Sequence, residues 1–146
     1  YGNSYRRYVP KSYVSVATHW GFNNRTVALR IPEGSGPATR IEHRLAGADA
    51  NPYLVIAAVL AGMAHGIAGK SDPGPHAEGD VEMLETPVTL PTAWVNALDT
   101  FEKSKVVREA FGDGFHDVYL RLKKTERANF EQIVTSLDHL WYALVA

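Results

Sequence analysis

The sequence contains no cysteine, so a disulfide framework, a thiolate zinc site and cysteine catalysis are all excluded. Charge of one sign is also missing: 15 Lys and Arg stand against 16 Asp and Glu, a formal net charge of -1. That balance gives no whole-chain attraction to nucleic acid or to an acidic membrane surface. The longest apolar stretch, Tyr53 to Ala64, is interrupted by Gly62 and is too short to cross a bilayer. No internal repeat or low-complexity tract occurs, and the polar, uncharged Tyr1-Gly2-Asn3-Ser4 opening is not a signal peptide. The first residue is Tyr1 rather than methionine, so a piece of a longer protein is expected. What is present is 146 residues, 45% hydrophobic and 21% charged, enough for one ordinary domain with a hydrophobic core.

The first half reads as strands and turns. β-branched and aromatic residues from Tyr13 to Trp20 predict a strand that ends at Gly21. Asn23-Asn24 tolerates the left-handed geometry of a tight turn. Thr26 to Ile31 is a second strand stopped by Pro32, and the two form an expected hairpin. A Gly- and Pro-rich loop precedes a third short strand, Arg40 to Leu45. Asn51 or Asp49 can cap a helix beginning near Pro52, and Tyr53, Ile56, Leu60 and Ile67 recur at helical spacing. Its small residues predict a mostly buried helix. Pro91 and Thr92 open another helix through Lys103, and a last one is expected from Gly114 or Phe115 to about Ala143. Strands first and helices after predict an α+β fold, with antiparallel strands packed by the later helices.

The arginines carry the chemical information. Arg6, Arg7, Arg25, Arg30, Arg40 and Arg44 all fall before Leu45, with few carboxylates among them. Alternation along a strand places Arg40, Glu42 and Arg44 on one face and Ile41, His43 and Leu45 on the other. By the same rule Arg25 and Arg30 face opposite ways unless a bulge or strand end intervenes. Guanidinium groups hold carboxylates and phosphates through paired donors. A carboxylate between them suits a hard divalent cation that bridges to phosphate oxygens. Arg-x-Glu-x-Arg alone is better read as a salt-bridged, solvated strand face. With Arg7, Arg25 and Arg30 nearby, an anion site stands level with that reading.

The run Asn24-Arg25-Thr26-Val27-Ala28-Leu29-Arg30-Ile31-Pro32 resembles the NR[ST]xxxRIP motif of glutamine synthetases. Arg40 to Arg44 resembles the family's RIExR segment, Asp49-Ala50-Asn51-Pro52-Tyr53-Leu54 its DANPYL segment, and Asn3 to Pro10 its NSYKRLVP segment. These motifs follow the family's order over residues 3 to 67, with a looser likeness in the tail. The resemblance implies that residues 1-146 are the C-terminal portion of a catalytic domain. The N-terminal β-grasp domain and the upstream catalytic segment would then lie outside this chain. It further implies an ATP-dependent ligase that activates the γ-carboxylate of glutamate as an acyl phosphate and joins it to ammonia or a primary amine. Arg25 and Arg30 would be catalytic, on the phosphates. Arg7 and Arg44 would hold glutamate, Arg40 would contact the nucleotide, and Glu42 would be a ligand of Mg²⁺ or Mn²⁺. A homo-oligomeric ring and a cytoplasmic location are implied, with no nucleic-acid or membrane partner.

One departure concerns the acceptor. Ammonia-using members carry a flap glutamate in VPGYEAP, whereas this chain reads Val9-Pro10-Lys11-Ser12-Tyr13-Val14-Ser15 and places Tyr13 there. A phenol is a poor proton acceptor at neutral pH. The motif context is most similar to the γ-glutamylpolyamine (γ-glutamylputrescine) synthetase branch, whose nucleophile is a primary amine. An alternative of another class is a non-catalytic homologue that keeps the fold for structure or assembly. The histidines show no metal-ligand spacing, and His43 and His65 read as packed residues.

Overall fold

The computed structural model describes residues 1–9, 12, 14–84, 89–143 and 145. A four-residue helix, α1 (Gly2–Tyr5), precedes three short strands, β1 (Trp20–Phe22), β2 (Leu29–Ile31) and β3 (Glu42–His43). Five helices follow: α2 (Pro52–Ala68), α3 (Trp94–Lys103), α4 (Lys105–Phe111), α5 (Asp113–Glu131) and α6 (Ser136–Tyr142). The α+β class expected from the sequence is the observed one.

The sheet differs from the expected hairpin. β2 pairs antiparallel with β3, but β1 runs parallel to β2, with Trp20 opposite Leu29 and Phe22 opposite Ile31. The link between them must therefore carry the chain back to its starting end. Asn23, left-handed at φ 52°, begins the return. Val27 and Ala28 within the link are buried at 0% and 3% exposure, so the link is part of the core. It is closed at both ends, by Leu29 N–H donating to the His19 carbonyl and Asn23 N–H donating to the Ile31 carbonyl. Between α1 and Trp20, the β-pairing of the described residues is one isolated bridge, from Ala17 to Thr89. The expected strand through Tyr13 thus shortens to β1, and Tyr13 itself lies outside the described residues.

α2 begins where the sequence predicts. Pro52 occupies its first turn and the Asn51 side chain accepts from the amides of Tyr53 and Leu54. Its expected burial is not observed: Tyr53, Ile56, Leu60, Met63 and Ile67 are all exposed, Tyr53 at 82%. α2 packs against α4, while α3 and α4 pack against α5. The helices therefore rest chiefly on one another, with Leu98, His116 and Leu120 buried between them. Gly112, at φ 79°, turns α4 into α5.

The long final helix is also divided. α5 ends at Glu131, and Thr135 caps α6 by exchanging bonds with Asp138: its amide donates to Oδ2 at 2.8 Å and its hydroxyl at 2.6 Å. This capping box starts a new helix where the apolar spacing alone reads as continuous.

Candidate functional site

Arg30 on β2 stands directly opposite Glu42 on β3, the closest relation that two side chains can have across a sheet. Arg30 Nη1 donates to Glu42 Oε2 at 2.9 Å, and Arg44 Nη1 donates to Glu42 Oε1 at 2.5 Å. Each carboxylate oxygen is thus held by a different guanidinium. Arg30 Nη2 also donates to Asn23 Oδ1 at 2.7 Å. Arg25, Arg30, Glu42 and Arg44 together line an open pocket of about 530 Å³. Strand alternation would have separated Arg25 from Arg30. Arg25 instead precedes β2, in the link, so the two reach one pocket.

The electrostatics follow from this arrangement. The hydrogen bond from Arg44 holds the Glu42 carboxyl below its usual range, helped by Arg30 and opposed by burial. Three guanidiniums face one carboxylate in the pocket, which leaves a surplus of positive charge for an anion. Arg30 Nε is buried and has no hydrogen-bond partner among the described residues. An unpaired buried donor is costly, and a phosphate or carboxylate oxygen could satisfy it. The donor set therefore fits a phosphorylated ligand.

For a divalent cation the fit extends to one ligand. Glu42 supplies an oxygen, and the described residues contain no group of three or more His, Asp or Glu that could hold a metal. Mg²⁺ is commonly held by one or two carboxylates with phosphate oxygens and water, so Glu42 is consistent with a share of such a shell and not with a closed cage.

Two of the sequence-derived residues lie elsewhere. Arg40 is exposed, outside the two-residue β3, and Nη1 donates to the Ala38 carbonyl at 3.2 Å. It does not share a strand face with Glu42, because the strand begins only at Glu42 itself. Arg7 approaches the far end of β3: Nη1 donates to the Leu45 carbonyl at 2.5 Å, and the Tyr8 hydroxyl donates to the same oxygen at 2.9 Å. Arg7 also lies near Asp49, whose carboxyl is lowered chiefly by a hydrogen bond from Ser4. His43 is half-buried opposite Leu29, and burial pushes its pKa down.

Asn24 escaped the sequence reading as a functional residue. Its side chain makes four bonds: Nδ2 donates to the carbonyls of Ala77 and Gly79, and Oδ1 accepts from the amide and hydroxyl of Thr26. Its neighbour Arg25 was legible as a charge, whereas a polar residue in a turn has many ordinary explanations.

Comparison with known proteins adds a family. Residues 1–142 match the model of the glutamine synthetase catalytic domain. The chain is 41% identical over 139 residues to gamma-glutamylputrescine synthetase PuuA of Escherichia coli (strain K12), covering 95% of this chain and 29% of that protein. It is 42% identical over 120 residues to a glutamine synthetase of Pyrococcus furiosus, covering 77% of this chain and 27% of that one. In fold it is similar to Plasmodium falciparum glutamine synthetase, with a TM-score of 0.80 at 21% identity over 97% of this chain and 37% of that chain. The chain thus spans less than a third of the length of these two sequence relatives. On the family model and these identities, the chain belongs to the glutamine synthetase catalytic-domain family.

Proposed function

We propose that this chain is the C-terminal portion of a longer catalytic domain and forms one wall of an ATP-dependent glutamate–amine ligase site. The pocket of Arg25, Arg30, Glu42 and Arg44 carries the reading. In such a ligase the γ-carboxylate of glutamate attacks the terminal phosphoryl group of ATP. ADP leaves, and an amine then displaces phosphate from the acyl phosphate. Negative charge on the transferring group spreads over its oxygens, and fixed cationic donors lower that barrier. Arg25 and Arg30 donate to those oxygens. Arg44 holds glutamate or the acyl phosphate, and Arg7, at the far end of β3, holds the glutamate carboxylate. Arg40 contacts the nucleotide from the rim. Glu42 holds Arg30 and Arg44 in place and is one ligand of Mg²⁺ or Mn²⁺, which when bound neutralises phosphate charge.

For the acceptor, we favour a primary amine on a longer molecule over ammonia. Tyr13 in place of the flap glutamate supports this, as does the name of the gamma-glutamylputrescine synthetase relative. The protein is further proposed to work as a cytoplasmic homo-oligomeric ring. Among the described residues no helix is long and apolar enough to cross a membrane. The arginines matched to the family's motifs, and Glu42, are all present, which supports an enzyme over a non-catalytic homologue. The test is glutamate-dependent ADP release by the full-length protein with ammonium or putrescine as acceptor. Faster turnover with putrescine is expected. Faster turnover with ammonium would reverse the acceptor assignment, and none with either would favour the non-catalytic alternative.

A further inference from the structure

Asn24, Thr26 and the loop from Gly74 to Val81 form a closed polar knot beside the arginine pocket. Asn24 Nδ2 spends both hydrogens, on the Gly79 carbonyl at 2.8 Å and the Ala77 carbonyl at 3.2 Å. Its Oδ1 accepts from Thr26 N at 2.9 Å and Thr26 Oγ1 at 2.8 Å. The full donor and acceptor capacity of a carboxamide is used. Thr26 Oγ1 in turn accepts from Val81 N at 3.2 Å. Ala77 N donates to the Trp20 carbonyl at 2.8 Å, and Trp20 Nε1 donates to the Gly74 carbonyl at 3.0 Å.

Packing locks the same contact. A Cβ at Gly21 would sit 2.7 Å from the Ala77 carbonyl oxygen, so only glycine lets the loop approach β1 this closely. Val27 and Val81 are buried to 0% and 1% exposure. The loop is therefore stitched to the sheet at Trp20, Asn24 and Thr26. Arg25 lies between two of those stitches. Its side chain is exposed, yet the residues on either side of it cannot move without breaking the knot.

We propose that Asn24 is a positioning residue for phosphoryl transfer, acting through Arg25 by clamping the 74–81 loop against the turn that bears it. The proposal rests on the ligase reading above. Asparagine fits the task because aspartate would lose both donors to the carbonyls and glutamine would displace them by a methylene. Thr26 completes the clamp through its hydroxyl, so serine can replace it and valine cannot.

The test uses steady-state kinetics of the full-length protein with ATP, glutamate and putrescine. Asn24→Ala is expected to lower kcat by about 10- to 100-fold, as small misplacements of a reacting-site group do. KM for ATP and glutamate should stay within about threefold, because the loss falls on the transition state. The Asn24→Ala/Arg25→Ala double variant should be no slower than Arg25→Ala alone, since the two substitutions remove one interaction. Thr26→Val should reproduce the loss and Thr26→Ser should not, which keeps the test decisive if Asn24→Ala does not fold. Amide hydrogen exchange at Thr26 and Val81 should speed up in Asn24→Ala and Thr26→Val. A kcat unchanged in both variants, or losses that multiply in the double variant, would overturn the positioning role while leaving the ligase reading intact. A wild type without glutamate-dependent ADP release would overturn both.

Discussion

Glu42 shares its pocket with three arginines and gives one oxygen to each of two of them. Its pKa is lowered in the folded chain, so it contributes stability at pH values above the usual carboxylate range. That contribution is lost as pH falls through the depressed value. Glu42→Gln should therefore lower Tm at pH 7, and the gap from wild type should close below about pH 4, as thermal melts across pH would read. A gap that widens on acidification would contradict the ion-pair geometry. In the full-length enzyme Glu42→Ala should raise the Mg²⁺ or Mn²⁺ needed for half-maximal ADP release by at least about tenfold. Unchanged metal dependence would remove the ligand role. The grouping of Arg25, Arg30, Glu42 and Arg44 was legible from their motifs. The place of Arg40 was not, because alternation was extended along a strand that proves to be two residues long, and the contact of Arg7 with the far end of β3 is a long-range one that no local pattern carries.

α2 presents Tyr53, Ile56, Leu60, Met63 and Ile67 along one exposed line. Their spacing alternates three and four residues, the repeat of a continuous helical seam. Composition correctly gave the helix and its start at Pro52, since capping and periodicity are local properties. Burial is not local, and the described residues supply no element that covers this face. Isolated wild-type chain should bind a hydrophobic dye and associate with rising concentration. Ile56→Glu with Leu60→Glu should reduce both, with Tm changed by less than the roughly 4 °C that a loss of about 1 kcal/mol produces. A large drop in Tm would mean the stripe is packed in solution. The parallel β1–β2 pairing was invisible for a related reason: strand direction depends on where the link between them packs, and that depends on bonds to residues 74–81, far along the chain.

The molecule as a whole exposes 10738 Å², whereas a folded monomer of 16.1 kDa would expose about 7,400 Å². The apolar side chains left uncovered on α2 and α6 contribute to the excess. A pocket with one wall of cations and one carboxylate can hold an anion, but the remaining groups for metal binding and for the acceptor are not among the described residues. The 146-residue chain by itself should therefore release no ADP in response to glutamate and amine. Turnover by the purified chain would show that the pocket is self-sufficient. The fold class was readable because strands and helices segregate along the sequence. How much of their surface lies open was not, since periodicity reports which face is apolar and never what meets it.

The link from β1 to β2 is tied at both ends and pinned in the middle by Asn24. A segment fastened in this way can accept a change of side chain far more readily than a change of length. One inserted residue would have no slack to occupy and would carry Arg25 away from Arg30, whereas the open turn at residues 132–135 could lengthen without consequence for the pocket. The number of residues between the two arginines is thus as much a part of the site as their charge.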